Sequence, residues 1–500
     1  MTPAAPVPPR PAGRRRWLLP LAISAGIAVW QFSFNSASIE PRRSYAMTAS
    51  MGMCEDAPLF FYFFYFDGVF PVGALDVPRL GASKQAAADF VAHHGRRLEM
   101  DFGGPTNTPR FGDYAKLFLF YPDVLLRGDP AHPSAIAANE LLFILGLLAV
   151  FWASWLEGLG ALGILIVVLV GSDPFQILET YGRGNIFSIP ISVSLLVLAA
   201  HLRFLTRRAG VDAWAWVIAI GTGVALATVR EVRAEAAAIG ISAAAAYLVV
   251  RAPLAQRLLL LAAFLLAFAA TGRLWARYWA HEFARAEQFV ARAGGDVFRA
   301  PGGSHHALWH AIYCGLGDYG ADRGFSWDDR DAFRWATTRD RATNPDPLRF
   351  HYVDGYYFEE TYDGRHHIAP TDLPEYNQLV RARVLGTIRR HPAWYGRILL
   401  ERAIAIERDA TPAALSLGSL TLAVQGAGWL TVPVLLIALW RRRFLHAALI
   451  AFFLPLSAVA LLVYSGKGMT SYGIAHLVAL AVGLDLLARI GRPAALMGRS

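Results

Sequence analysis

Residues 257–274 read RLLLLAAFLLAFAATGRL, an apolar run with an arginine at or near each end. A membrane-spanning α-helix needs about 20 predominantly apolar residues, and this run approaches that length. Nine further apolar runs resemble it, at about 17–30, 138–155, 158–172, 187–202, 212–229, 235–250, 417–440, 444–464 and 471–488. The pattern predicts a mainly α fold: a polytopic transmembrane helix bundle of about ten spans, with two large extracytoplasmic segments of mixed α and loop structure.

The composition supports a membrane protein. The chain has 500 residues, of which 55% are hydrophobic and 17% charged, whereas soluble domains carry about 25% charged residues. This argues against a water-soluble enzyme and against disorder, and two cysteines are too few for a disulfide scaffold. The net charge of +9 comes almost entirely from arginine. Because the arginines cluster at the ends of apolar runs, we expect no nucleic-acid partner.

Arginine clusters occupy alternate connections between the apolar runs. Short loops rich in Lys and Arg stay cytoplasmic, and ten spans place every cluster on one side with both termini inside. The clusters are Arg14 to Arg16; Arg203, Arg207 and Arg208; Arg251 and Arg257; Arg441 to Arg443; and Arg489, Arg492 and Arg499. We therefore expect a multi-pass protein of the bacterial cytoplasmic (inner) membrane. The first run is expected to be an uncleaved anchor, with a cleaved signal peptide as the alternative.

This topology divides the chain into seven parts. They are a basic cytoplasmic N-terminus (1–16), a first anchor (17–30), a first extracytoplasmic loop with interfacial elements (31–140), helices two to seven (141–274), a second extracytoplasmic segment (275–415), helices eight to ten (416–490) and a cytoplasmic tail (491–500). Cys54 and Cys314 lie in the two extracytoplasmic segments. They are expected to form a disulfide or to be two small buried residues.

The first extracytoplasmic loop contains two aromatic stretches, Pro58–Phe66 and Lys116–Asp123, that are too short to cross a bilayer and are typical of interfacial elements. A carboxylate held beside apolar rings is partly desolvated, which raises its pKa and suits it to act as a general base. The alternative is a solvated loop acid or a helix cap. The candidate acids are Glu55, Asp56, Asp67 and Asp113.

A charged hairpin, Val229–Glu235, interrupts two apolar runs. If the helix continues, Arg230 and Arg233 share a face, and two guanidinium groups there are suited to a phosphate or diphosphate. The alternative is a hairpin whose charges pair with each other. The polar loop from Gly171 to Asn185 offers further contacts, and Lys467 lies in a polar loop between the last two runs.

The second extracytoplasmic segment begins with a histidine-rich stretch, Gly303–Tyr319. His306 and His310 share a face if the stretch is helical, as metal-binding pairs do. The alternative is hydrogen-bonded structural or sugar-contacting histidines. We expect no cofactor, with a divalent metal left open. The candidate acceptor-binding residues are His305, His306, Trp309, His310 and Tyr319.

Together these features resemble the GT-C superfamily of polytopic membrane glycosyltransferases. The likeness rests on the large first loop with carboxylates, the Arg230–Glu235 hairpin, the stretch His391–Arg402 and the loop Tyr464–Tyr472, the last two being similar to uncharacterised bacterial members. The resemblance implies a polyprenyl-phosphate-linked sugar donor used on the outer face of the membrane, with an acid of the first loop as base. Glu55 and Asp56 lie well beyond the first run instead of directly after it, which leaves Asp67 and Asp113 open.

The leading hypothesis is an inverting glycosyltransferase that passes a sugar from a polyprenyl-phosphate carrier to an extracytoplasmic glycan, lipid or protein. One of the four acids would be the base, and Arg230, Arg233 and Lys467 would stabilise the leaving phosphate. The expected partners are membrane lipid, the polyprenyl-phosphate sugar donor and a carbohydrate or glycolipid acceptor. The alternatives are a transporter or lipid flippase, although the deep parts of the spans carry almost no charge, and a non-catalytic envelope-assembly protein.

Overall fold

The computed structural model describes residues 15–36, 65, 74–76, 97–99, 114–128, 134–182, 184, 188–206, 210–292, 308–328, 331–332, 334–336, 338–339, 350–353, 356–359, 374–409, 413–417, 420–424, 427–463 and 473–490. Helices dominate these residues, and the strands form three two-stranded antiparallel hairpins.

The helices are α1 (Arg15–Val29), α2 (Tyr121–Arg127), α3 (Ile136–Leu156), α4 (Gly160–Gly171), α5 (Pro174–Ile177), α6 (Ile189–Leu205), α7 (Ala213–Arg230), α8 (Ile239–Val249), α9 (Leu254–Arg292), α10 (Leu308–Leu316), α11 (Pro374–Arg390), α12 (Pro392–Asp409), α13 (Thr431–Trp440), α14 (Phe444–Val463) and α15 (Gly473–Ile490). The strands are β1 (Ala74–Asp76), β2 (Arg97–Glu99), β3 (Phe350–Val353), β4 (Tyr356–Glu359), β5 (Ala413–Leu417) and β6 (Leu420–Val424). Short π-helical turns (Trp30–Ser36, Leu178–Gly182) and 3-10 turns (Tyr114–Phe120, Ala234–Ala238, Ala321–Arg323, Ala427–Leu430) adjoin them.

Each of the ten predicted apolar runs contains a helix. Among the described residues, four helices are long and apolar enough to cross a membrane: α3, α7, α9 from Leu254 to Glu282, and α14. Shorter apolar helices occupy 17–33, 160–171, 189–205, 234–249 and 428–440. The helices are consistent with a membrane protein, and the count of ten spans stays a prediction.

The predicted span at 417–440 differs from the structure. Its first part belongs to the β5–β6 hairpin, in which Leu417 pairs with Leu420 and Ala413 with Val424, and helix α13 begins only at Thr431. The physical reason is visible in LSLGSLTL (415–422): polar and apolar residues alternate with a period of two around a two-residue Gly-Ser link, a hairpin pattern. The mean hydropathy of the whole run 417–440 is high, and it does not show this period.

The connections α3–α4, α6–α7 and α8–α9 lie together at one end of the bundle, called the basic end. There the Thr206 hydroxyl donates to Glu157 at 2.7 Å, and a Cβ at Gly210 would lie 3.6 Å from the Arg251 carbonyl oxygen. Asp212 caps α7 by accepting from the Ala215 N–H at 2.9 Å. The opposite end, where α1, α4 and α7 finish, is called the distal end.

Close helix packing depends on small residues. A Cβ at Gly146 on α3 would lie 3.1 Å from Leu195 Cβ on α6, and one at Gly223 on α7 would lie 2.5 Å from the Phe264 carbonyl oxygen on α9. Small residues allow helix backbones to approach closely where lipid, not water, surrounds the bundle.

A separate apolar cluster is built from α10, α11 and α12, which belong to the predicted second extracytoplasmic segment and are called the extramembrane helices. It includes Tyr313, Val380, Val384 and Ile398, each at most 1% exposed. Helix α9 continues without a break past residue 275 to Arg292, and the domain boundary there stays a prediction. The second polar segment thus begins as a rigid extension of a predicted spanning helix.

Candidate functional site

The charged hairpin lies at the distal end, where α7 finishes. Helix α7 ends at Arg230, and Arg233 has extended backbone angles (φ −153°, ψ 109°) before the following 3-10 turn. The two arginines therefore do not share a helical face, and the geometric basis of that expectation was wrong. Arg230 contacts Glu231 at 3.2 Å and Arg233 contacts Glu235 at 3.1 Å. These pairs match the alternative of a hairpin with internal ion pairs, whereas phosphate binding by the arginines stays a prediction.

The guanidinium of Arg230 lies against α9. It is 5.5 Å from the centroid of the Phe268 ring, and a Cβ at Gly272 would lie 3.3 Å from its Nη2. The side chain is 26% exposed. Its Nε is buried and has no acceptor among the residues that the structure describes. Arg230 is thus held by one carboxylate and one ring face while part of its donor set is unused.

Glu231 is the most buried acid of the hairpin, at 1% exposure. Its Oε2 accepts a hydrogen bond from Trp279 Nε1 at 3.1 Å, and its backbone carbonyl accepts from the Ala115 N–H at 3.1 Å. A buried carboxylate needs such donors, because an unpaired charge in an apolar surround is costly. Glu231 therefore joins the α7 end, α9 and the returning part of the first loop.

An aromatic cluster covers this junction. The Phe118 ring lies 6.0 to 6.4 Å from the rings of Trp275, Tyr278 and Trp279, and Trp275 stacks on Trp279 at 5.9 Å. These distances are in the range of favourable ring pairs. The cluster gives the hairpin a rigid apolar wall.

The second predicted interfacial element, Lys116–Asp123, packs partly on the bundle. Leu117 and Phe120 are at most 3% exposed, while Leu125 and Leu126, just beyond the element, are 82% and 71% exposed. Tyr65, from the first aromatic stretch, lies 6.1 Å from Tyr121, ring to ring. Tyr65 thus contacts the second stretch at the distal end.

A second polar group lies between α1 and α4. Gln31 donates to the Gly171 carbonyl at 3.1 Å and accepts from the Tyr181 hydroxyl at 2.7 Å, and Asn35 donates to both Gln31 and Gly171 at 2.9 Å. Two π-helical turns carry these residues, a conformation frequent at functional sites. Asp173, Gln176, Glu179 and Thr180 are also buried here. The sequence indicated polar contacts from the loop Gly171 to Asn185, but not the participation of the π-helical turn that follows α1.

The histidine stretch contributes inward-facing groups. His310 is 2% exposed, its Nδ1 lies 2.5 Å from the Tyr376 hydroxyl and its Nε2 lies 3.7 Å from Cys314 Sγ. Trp309 lies beneath Arg381 and Tyr319 beneath Arg402, at 5.6 and 5.5 Å from guanidinium carbon to ring centroid. These placements are typical of structural residues, and acceptor binding by Trp309, His310 and Tyr319 stays a prediction.

Arg402 is a residue that sequence reasoning did not single out. Its side chain is fully buried, and it donates to the carbonyls of Leu461 (2.6 Å), Leu462 (2.9 Å) and Gly315 (2.6 Å). These carbonyls belong to the last turns of α14 and α10, which have no helical partner of their own. Burial lowers the pKa of Arg402 from its usual value, but an arginine stays charged in proteins. It therefore caps two helix C-termini at once.

Glu407 forms a contact between the extramembrane helices and the bundle. Its Oε2 lies 3.4 Å from His476 Nδ1 on α15, and the Thr431 hydroxyl also contacts this ring nitrogen. Burial raises the pKa of Glu407 to about 7. A carboxyl with such a pKa exchanges protons near neutrality.

Seven of the predicted site residues lie outside the described residues: Glu55, Asp56, Asp67, Asp113, His305, His306 and Lys467. Cys54 does too, so its pairing with Cys314 stays a prediction. Within the described part of the chain, no group of three or more His, Cys, Asp or Glu side chains is placed to hold a metal ion.

Comparisons with known proteins complete this description. No protein-family model and no curated protein matches the chain. Among solved structures, it is similar to the crystal structure of the Archaeoglobus fulgidus oligosaccharyltransferase in complex with Zn and sulfate, at a TM-score of 0.34 and 11% identity. The match covers 94% of this chain and 49% of the other, so the chain spans about half the length of that protein. A likeness this weak assigns neither fold nor function.

Proposed function

We propose that the protein is an inverting glycosyltransferase of the bacterial cytoplasmic membrane. It transfers a sugar from a polyprenyl-phosphate donor to an extracytoplasmic glycan, lipid or protein. The observation that carries the proposal is the meeting, at the distal end of an apolar bundle, of partly exposed Arg230 and Arg233, buried Glu231 and an aromatic wall.

The chemistry needs two functions at this end. A base removes the proton from an acceptor hydroxyl, whose oxygen attacks the anomeric carbon while the bond to the carrier phosphate breaks. Cations then stabilise the negative charge that develops on the leaving phosphate. The pair of Arg233 with Glu235 is partly exposed on both sides, and such pairs contribute about 0–1 kcal/mol. A phosphate, which offers bidentate geometry, therefore competes readily for Arg233. Arg230 is 26% exposed, and its buried partner Glu231 also accepts a hydrogen bond from Trp279.

The base is proposed to be one of Glu55, Asp56, Asp67 and Asp113, with Lys467 as a further phosphate ligand. The hydrogen bond from the Ala115 N–H to the Glu231 carbonyl supports this proposal, because Asp113 precedes Ala115 by two residues in the sequence. The contact of Tyr65 with Tyr121 also supports the proposal, because Tyr65 precedes Asp67 by two residues in the sequence.

The test uses the full-length protein in nanodiscs with a panel of polyprenyl-phosphate sugars. Donor binding is measured by thermal shift, and donor consumption by mass spectrometry. We expect Arg230→Gln and Arg233→Gln each to lower transfer by about 10²-fold, the scale for loss of one charge-stabilising donor. Arg251→Gln, an exposed arginine at the basic end, is the matched control and should retain activity.

The acids are tested by Glu55→Gln, Asp56→Asn, Asp67→Asn and Asp113→Asn. One variant should abolish transfer while it keeps donor binding, and full activity in all four would refute the assignment of the base. A donor that binds to folded protein but is never consumed would favour the lipid-flippase alternative. No binding by any donor would favour a non-catalytic envelope-assembly protein.

A further inference from the structure

The outward face of α9 changes character along its length. In its first part the exposed residues are apolar, including Leu259 (56%) and Leu266 (69%). Further along the same face lie Arg273 and Arg277, both exposed, since positions 7 and 11 residues after Leu266 return to nearly the same direction at 3.6 residues per turn. The apolar face therefore continues directly into a basic one.

The level of this change coincides with the edge of a bilayer. Arg273 follows Leu254, the first residue of α9, by 19 positions, which is about 28 Å at 1.5 Å per residue. The hydrocarbon core of a bilayer is about 30 Å thick. A helix that enters this core at Leu254 therefore brings Arg273 and Arg277 to the level of the phosphate groups on the far side.

These two arginines are not engaged by the described part of the protein. Neither Arg273 nor Arg277 makes a hydrogen bond or ion pair with another described residue. The opposite face of the helix is the packed one, where Gly272 adjoins Arg230 and Trp279 bonds to Glu231. Of the nearby acids, Glu282 is 5% exposed and pairs with Arg285 at 3.1 Å, so it does not neutralise them.

Membrane topology does not account for the basic stripe formed by Arg273 and Arg277 either. Loop arginines accumulate on the cytoplasmic side, but this stripe lies at the distal end, opposite the arginine clusters that are predicted to be cytoplasmic. Exposed His281 and Arg292 extend it along the rigid helix above the membrane level. Its position and charge are complementary to a layer of lipid phosphates.

We propose that the outward face of α9 at Arg273 and Arg277 is a binding site for anionic phospholipid headgroups. The guanidinium forks bind the lipid phosphate, and the exposed leucines of the same face bind the acyl chains. This site is separated from Arg230 by the body of α9, and it does not depend on the proposed transferase activity.

The experiment measures lipid binding to the full-length protein in a neutral detergent by native mass spectrometry, with phosphatidylglycerol against phosphatidylcholine. The wild type should bind phosphatidylglycerol preferentially. Near an anionic surface each arginine accounts for about a fivefold gain in affinity, so Arg273→Gln/Arg277→Gln should lose roughly 25-fold. The matched control, Arg389→Gln/Arg390→Gln, removes two exposed arginines from the end of α11 and should keep the preference.

Two further measurements keep the proposal open to refutation. The variant Arg273→Lys/Arg277→Lys retains charge and should keep most of the preference. Each single glutamine variant should lose about fivefold in phosphatidylglycerol affinity. The single variants replace the double variant if the latter fails to fold. Equal phosphatidylglycerol affinity in the wild type and the glutamine variants would overturn the proposal. The proposal would also fail if the wild type bound inorganic phosphate as tightly as phosphatidylglycerol, because the site would then bind a free anion.

Discussion

Replacement of Arg402 by methionine should detach the extramembrane helices from the bundle. Three hydrogen bonds of 2.6, 2.9 and 2.6 Å join this fully buried guanidinium to the last turns of α14 and α10. A hydrogen bond from a charged group is worth about 1.5–3 kcal/mol. Removal of a buried charge recovers part of its desolvation cost, so we expect a net loss of about 3–5 kcal/mol, the range for a broken buried ionic contact.

The suitable assay is amide hydrogen exchange in α10 and in the last turn of α14, with detergent-solubilised protein. A loss of 3 kcal/mol in local stability raises exchange through the open state by about 150-fold. Arg402→Lys should give a smaller increase, because an ammonium group has three donors and lacks the planar fork that reaches two helix ends.

The matched control is Arg397→Met on the same helix. Arg397 is exposed and contacts Glu401 at 3.4 Å, and surface pairs of this kind contribute about 0–1 kcal/mol. Its exchange rates should stay within about fivefold of the wild type. If Arg402→Met also stayed within that limit in α10 and α14, the capping of two helix ends by one arginine would not be a source of stability.

Three further predictions concern packing, protonation and the polar group between α1 and α4. Gly223→Ala should lower the melting temperature, because its Cβ would lie 2.5 Å from the Phe264 carbonyl oxygen, at a cost of about 1–3 kcal/mol. Gly221→Ala on the same helix is the control: its Cβ meets nothing within 4 Å, and the melting temperature should not change. Burial raises the pKa of Glu407 from 4.5 to about 7, so the native state binds the proton more tightly than the unfolded chain, and stability should fall as pH rises from about 4.5 through 7. Glu407→Gln should flatten this part of a plot of melting temperature against pH. An unchanged slope would contradict the raised pKa of Glu407. Gln31→Leu leaves the Gly171 carbonyl and the Tyr181 hydroxyl without Gln31, so it should destabilise by about 2–4 kcal/mol in thermal unfolding; a melting temperature equal to that of the wild type would refute this.

The helices could be predicted because apolar runs are long and nearly uncharged. Every predicted run contains a helix, since burial of backbone polar groups in an apolar surround leaves few other conformations. The β5–β6 hairpin was missed for a related reason. Its apolar average matches that of a span, and only the period of two in residues 415–422 distinguishes it.

The site could be predicted less well, because its contacts join residues distant in sequence. The charged hairpin was recognised from four charges in six residues. The end of α7 at Arg230, which removes Arg230 and Arg233 from a common helical face, has no clear sequence signal. Arg402 binds residues 59, 60 and 87 positions away. Its partners are backbone carbonyls, which every residue carries, so no motif could have identified them.

Exposure distinguishes the arginines that hold the fold from those available to a ligand. Arg402 is fully buried and donates three bonds to carbonyls, so a ligand could reach it only if α10 and α14 separated. Arg230 is 26% exposed and is paired with one carboxylate. A phosphate can therefore reach Arg230 without separation of any helices, and Glu231 keeps its hydrogen bond from Trp279 when it does. For this reason a loss of donor binding in Arg230→Gln, in a protein that melts at the wild-type temperature, would separate ligand recognition from folding, whereas no substitution of Arg402 can make that distinction.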